Sequence, residues 1–275
     1  MFHFMAHALT DPDALERNRE KARRSDALFL HECAADDVKD RLQLVNKTFS
    51  EAAIVSGFPE FWGGRFPDAK VVPDDATVPL EQGRHDLVIH AFGLHWSDDP
   101  VGQLVQSRLA LKPDGLFLAV FLGGQTLHEL RASLAQAETE IRGGLSPRIV
   151  PMGEIRDTGA LLQRAGFALP VADNLPLEVT YQSTLHLMRD LRAMGEGNAL
   201  AGRSRNFTPK SVMLRACEIY EQVFRKSDGS VPATYELIFL TGWAPDANQP
   251  KPLRPGSAKA RLADHLGTSE ISLND

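Results

Sequence analysis

The stretch DLVIHAFGLHWSDDPVGQLVQSRLALKPDGLFLAV, residues 86–120, decides the fold. Its two ends, Asp86-Leu-Val-Ile-His-Ala91 and Leu116-Phe-Leu-Ala-Val-Phe-Leu122, are near-continuous apolar runs without alternation. Strands covered by helices on both faces read this way; antiparallel strands with one wet face do not. Between them Asp98 and Asp99 can accept hydrogen bonds from free backbone N–H groups, and Pro100 suits a first helical position. Val101, Leu104, Val105 and Leu109 then share one helical face. Lys112-Pro-Asp-Gly115 stops the helix and turns the chain. The result is one right-handed βαβ unit of a parallel sheet. Its first strand-to-helix corner carries His95 and Trp96, at the place where open α/β sheets bind ligands.

Before this unit, residues 11–46 read as two helices. Asp11-Pro-Asp begins the first, and the basic run Arg17–Arg24 is expected to lie along it as a solvated face or a guide to an acidic partner. Ala52-Ala-Ile-Val55 and Lys70-Val-Val-Pro73 are strand-like, with a Gly/Pro/aromatic loop between them. Residues 124–230 read as mostly helical. Thr126-Leu-His-Glu129 looks like a capping box, Asp157–Ala165 is a helix closed by Gly166, and helices near 183–194 and 208–226 follow. Ala233–Trp243 is a strong final strand. Pro245, Pro250, Pro252 and Pro255 then mark a mobile tail over 244–275, with a short helix at Lys259–Leu266.

Bulk properties narrow the classes. A chain of 275 residues that is 43% hydrophobic can bury a full core. A net charge of −6 gives no basic footprint, so nucleic acid is not expected as a partner. Cys33 and Cys217 have no metal or disulfide spacing and read as apolar fillers in a reducing compartment. The apolar run Leu116–Leu122 is far short of the roughly 20 residues that span a bilayer. The opening MFHFMAHALTDPD lacks a basic n-region, so the expected location is the cytoplasm. The nine histidines show no ligand spacing with a carboxylate, so no metal site is expected.

Several strings carry a resemblance. Leu94-His-Trp96, Leu111-Lys-Pro-Asp-Gly115, Gly123-Gly-Gln-Thr-Leu-His-Glu-Leu-Arg131 and Gly144-Leu-Ser-Pro147 are followed by Leu162-Gln-Arg-Ala-Gly-Phe167, Met194-Gly-Glu-Gly-Asn198 and Asp228-Gly-Ser-Val-Pro-Ala-Thr-Tyr235. On these strings residues 86–243 resemble the family of mitochondrial NADH:ubiquinone oxidoreductase complex assembly factor 5, an arginine hydroxylase. They also resemble the malonyl-carrier-protein methyltransferases of biotin synthesis. The resemblance implies an α/β, Rossmann-like class I methyltransferase fold with a seven-stranded, mostly parallel sheet. Flanking helices and a helical cap within about 124–230 go with it, behind N-terminal helices at 1–46 and within a domain spanning 47–243. It implies S-adenosylmethionine (SAM) as cofactor and a protein substrate or complex I subunit as partner. Oligomeric state is not legible.

The first half departs from the pattern. Class I methyltransferases carry a Gly-x-Gly loop after the first strand, where backbone approaches the cofactor. Here Ala53-Ile-Val-Ser-Gly-Phe-Pro-Glu60 keeps only Gly57, and Phe58, Phe61 and Trp62 are available to fill the vacated pocket. The segment up to Val71 is also one βα unit too short, so the carboxylate that grips the ribose is missing. The cofactor seat implied by the resemblance therefore comprises Ser56, Gly57, Asp74, Asp75, Ala91 and Phe92. His95 is the expected catalytic residue, and Trp96, Gln125 and Arg148 are expected to meet substrate. Three functions follow: a SAM-dependent methyltransferase acting on a partner in complex I assembly, a protein arginine hydroxylase, or a non-catalytic assembly factor that has lost the cofactor.

Overall fold

The computed structural model describes residues 8–25, 27–250 and 267–268. The two apolar runs form β3 (His85–Ala91) and β4 (Leu111–Leu122), joined by a 3-10 turn at Leu94–Trp96 and α4 (Pro100–Ala110). Asp99 caps α4 by accepting from Gly102 N at 2.8 Å, with Pro100 at the first turn. Before them come α1 (Pro12–Ala22), α2 (Phe29–Leu44), β1 (Ala52–Ser56), α3 (Pro59–Arg65) and β2 (Lys70–Val72). After them come α5 (His128–Arg142), α6 (Ile155–Arg164), β5 (Ala168–Tyr181), α7 (Thr184–Ala193), α8 (Lys210–Phe224) and β6 (Val231–Trp243).

The strands make one sheet in the order β2-β1-β3-β4-β6-β5. The first four are parallel, and β6 is antiparallel to both β4 and β5. Among the described residues six strands stand where the family pattern implies seven. β2 is hydrogen-bonded directly to β1, with only α3 between them in the chain. Successive strand residues feed opposite layers, as the two-residue period requires. Ile54, Ile89, Leu118 and Val120 point into a core with α2, α5, α7 and α8, while Ala53, Val55, Val88 and Phe117 pack against α4 and α6. The architecture is helix, sheet, helix.

Three local expectations are corrected. The aromatic loop after β1 is a short helix, because Pro59 starts it and Trp62 anchors it, fully buried. Within the region read as mostly helical, Ala168–Tyr181 is a 14-residue edge strand. Thr126 does not cap α5: its hydroxyl donates to Gly123 O and accepts from Glu236 N, while Glu129 bonds Thr234. Leu127, at φ 52°, takes the cap position instead. Gly166 closes α6 in the left-handed region, at φ 81°. Both cysteines are free thiols, half-buried.

Contacts divide the chain into Met1–Pro245 and Asp246–Asp275. Within the second unit, Asp246 and Gln249 close a turn. The expected tail helix at 259–266 lies outside the described residues. Among the described residues no helix is long and apolar enough to cross a membrane.

Candidate functional site

The carboxyl ends of β1 and β3 diverge at the point where strand order reverses, the usual seat of a ligand in such sheets. Ser56, Gly57, Ala91 and Phe92 sit at these ends, and Asp74 and Asp75 follow β2. Most of their polar groups are engaged by the chain itself. Arg19, from the middle of α1, donates to both oxygens of Asp74 at 2.8 and 2.7 Å, with side chains only 9% and 7% exposed. Arg17, Lys21 and Arg24 form the expected solvated face, but Arg19 departs from it, because Leu15, Arg19 and Ala22 share the buried stripe of α1 at i, i+4 and i+7. A Cβ on Gly57 would lie 2.4 Å from Arg19 Cζ, so the guanidinium covers the one open glycine face of the loop. The Gly57 carbonyl accepts twice from Arg23, at 3.1 and 2.6 Å. Ser56 Oγ accepts from Phe58 N, and the Asp75 carbonyl accepts from Gln103.

An aromatic cluster completes the filling. His31 of α2, 2% exposed, stacks on Phe92 with ring centroids 4.0 Å apart and contacts Phe58 at 4.4 Å. Trp62 Nε1–H donates to His31 Nδ1 at 3.2 Å, which places any ring proton on Nε2. Burial holds the His31 pKa down to about 3, against the opposing pull of Glu196. SAM does not fit this arrangement of residues. Entry at Gly57 and Asp74 would break a buried, bidentate ion pair, a cost of about 3–5 kcal/mol, or a factor of a few hundred or more in affinity.

On the other side of Trp96 lies a second hollow. Glu196 follows α7 and is carried by Gly195 at φ 85°, a conformation that favours glycine. Its Oε2 accepts from Trp96 Nε1 at 3.2 Å and faces His95 Nε2 at 3.4 Å. Burial pushes the Glu196 carboxyl up, but His95 beside it, helped by Arg19, outweighs burial and holds the pKa below the usual carboxylate value. Glu196 is therefore an anion lining an apolar cavity of about 170 Å³, walled by Trp96, Leu130, Met152, Met188 and Met213. Its Oε1 accepts no hydrogen bond among the described residues.

The expected residues thus separate. Asp74, Asp75 and Trp96 border one cleft of about 650 Å³ in front of Arg19. Trp96 and Arg148 border the apolar cavity. His95 borders neither of these; it lines a third hollow of about 240 Å³ with Leu94, Pro100 and Leu161, while its Nε2 faces Glu196. Arg148 spends its donors on Glu138 and Thr208, and Gln125, whose backbone N–H bonds Glu236, borders neither hollow. Glu196 was legible only as part of the Met194-Gly-Glu-Gly-Asn198 string, and nothing in that string marks its carboxylate as facing a cavity.

No family model matches the chain. It is 40% identical over 198 residues to the arginine-hydroxylase NDUFAF5 of Danio rerio, covering 72% of this chain and 61% of that protein. To the NDUFAF5 of Homo sapiens it is 41% identical over 198 residues, covering 72% and 57%. To the malonyl-[acyl-carrier protein] O-methyltransferase of Laribacter hongkongensis it is 35% identical over 188 residues, covering 68% and 61%. The chain thus spans about three fifths of the length of these relatives. Among solved structures, the YcgJ protein of Bacillus subtilis superposes with a TM-score of 0.44 at 12% identity, over 72% of this chain and 84% of that one. The NDUFAF5 relatives are named mitochondrial, which overturns the expectation of a cytoplasmic protein. By its sheet order the chain has a Rossmann-like α/β fold, and in sequence it is similar to the NDUFAF5 arginine hydroxylases and the malonyl-[acyl-carrier protein] O-methyltransferases.

Proposed function

We propose that the protein is a methyltransferase-like factor of respiratory complex I assembly that holds an arginine side chain of a partner subunit in the apolar cavity beside Trp96. The observation that carries this reading is Glu196, an anion whose Oε1 is left for a donor at the wall of that cavity. A guanidinium there gains a charge-assisted hydrogen bond and the face of an indole, while its methylene stem lies along leucine and methionine side chains. A hollow of about 170 Å³ is of the size that takes one such group. The hydroxylase relatives, named for arginine, support the choice of side chain. In this reading His95 positions Glu196 and keeps it ionised, and Arg192, exposed at the mouth, is free to meet an acidic neighbour of the bound arginine.

The test is complementation in cells that lack the chain, with assembled complex I scored on native gels. Wild type is expected to restore assembly. Glu196→Gln, checked for folding by circular dichroism, is expected to weaken partner capture at least tenfold, since hydrogen bonds to charged groups contribute about 1.5–3 kcal/mol. Full rescue by Glu196→Gln would refute the reading.

A further inference from the structure

We infer that Arg19 and His31 are resident occupants of the seat that this fold family gives to SAM, and that the chain does not take the cofactor. Three of the groups the seat would offer are already satisfied from within. Both oxygens of Asp74 accept from Arg19, the Gly57 carbonyl accepts from Arg23, and the Phe92 ring carries His31. A cation stands where the carboxylate would meet a donor of the ligand, and a neutral aromatic ring lies on the aromatic face.

The occupants are fixed parts of the core. His31 sits on α2 between Leu30 and the buried face of Ala34, Ala35 and Val38, all of which pack into the same cluster as the sheet residues Ile54 and Ile89. Withdrawing α2 would expose the centre of the molecule. Arg19 is flanked on its own helix by buried Leu15 and Ala22, and Asn18 beside it donates to Gly197 O at 3.0 Å. The helix carrying Arg19 is thereby tied to the loop carrying Glu196. The vacated seat has become a joint between the N-terminal helices and the sheet.

Two measurements on the full chain test this. Calorimetric titration with SAM and with S-adenosylhomocysteine, each to millimolar concentration, is expected to give no binding heat, and neither compound should shift Tm by more than about 1 °C. Binding at a Kd below about 100 μM would overturn the inference. Arg19→Lys keeps the charge but cannot make both bonds to Asp74, and it is expected to lower Tm by roughly 5–10 °C, as loss of a buried bidentate pair does in a domain of this size. An unchanged Tm in Arg19→Lys would overturn the structural role. The wild-type titration stands whether or not Arg19→Lys folds. Neither readout involves complex I, so both are independent of the fate of the cavity reading.

Discussion

Acid should loosen this fold through one imidazole. His31 is nearly inaccessible, and burial lowers its pKa from 6.5 to about 3. The folded state therefore keeps the ring neutral, while the unfolded chain takes up a proton below about pH 6.5. The sign follows directly: stability from this group is complete above pH 6.5 and falls as the solution is acidified towards pH 3. At pH 5 the unfolded chain sits 1.5 pH units below its own pKa, so the loss relative to pH 8 is about 2 kcal/mol, approaching about 5 kcal/mol near pH 3. The assay is a set of urea unfolding curves at pH 8, 7, 6 and 5 for wild type and His31→Phe. Phenylalanine suits the ring cluster of Phe58, Phe61 and Phe92 but forfeits the bond from Trp62, which lowers stability by a constant amount at every pH. His85 and His90, whose pKa values burial also lowers, remain in both proteins and cancel in the comparison. Wild type should lose about 2 kcal/mol more than the variant between pH 8 and pH 5. Parallel losses in the two proteins would show that His31 does not titrate as its burial requires.

Two further outcomes are expected. Gly123→Ala places a Cβ 2.3 Å from Ile238 Cδ1 and 2.8 Å from the Gly153 carbonyl, and since backbone cannot yield as a side chain does, the urea midpoint should drop by an amount equal to about 1–3 kcal/mol. Glu138 gathers Ser146 and Arg148 at the end of α5, and although burial pushes its carboxyl up, the bonds from Arg148 and Ser146 bring it down to about 2. Its contribution is present above pH 4.5 and lost as pH falls towards 2. Glu138→Gln should therefore cost about 2–3 kcal/mol at pH 7 and abolish that acid step in thermal melts.

The parts of the fold legible in the sequence are those whose pattern is local. β3 and β4 announce themselves because a strand covered on both faces is continuously apolar, and α4 because Asp99 and Pro100 cap it. β5 escaped because it lies at the sheet edge, where every second residue is wet and Pro170, Asp173, Asn174 and Pro176 read as a loop. The site was legible in its position and not in its state. The corner at His95 and Trp96 follows from strand order. That Arg19 would cross to Asp74, 55 residues away, does not follow from any local rule. One signal was present: Arg19 falls on the same helical stripe as Leu15 and Ala22, where an unpaired charge would be too costly to bury.

The long outer strand β5 has a further consequence. An uncovered rim of backbone donors and acceptors invites other chains to add to the sheet. Here Pro170 and Pro176 leave β5 without two backbone donors, and the shift in pairing between Ala168 and Val171, with Leu169 at φ 50°, kinks its beginning. β5 is thereby a poor template for strand addition or for fibre growth. A partner reaching this protein is steered away from backbone pairing there and towards side-chain recognition.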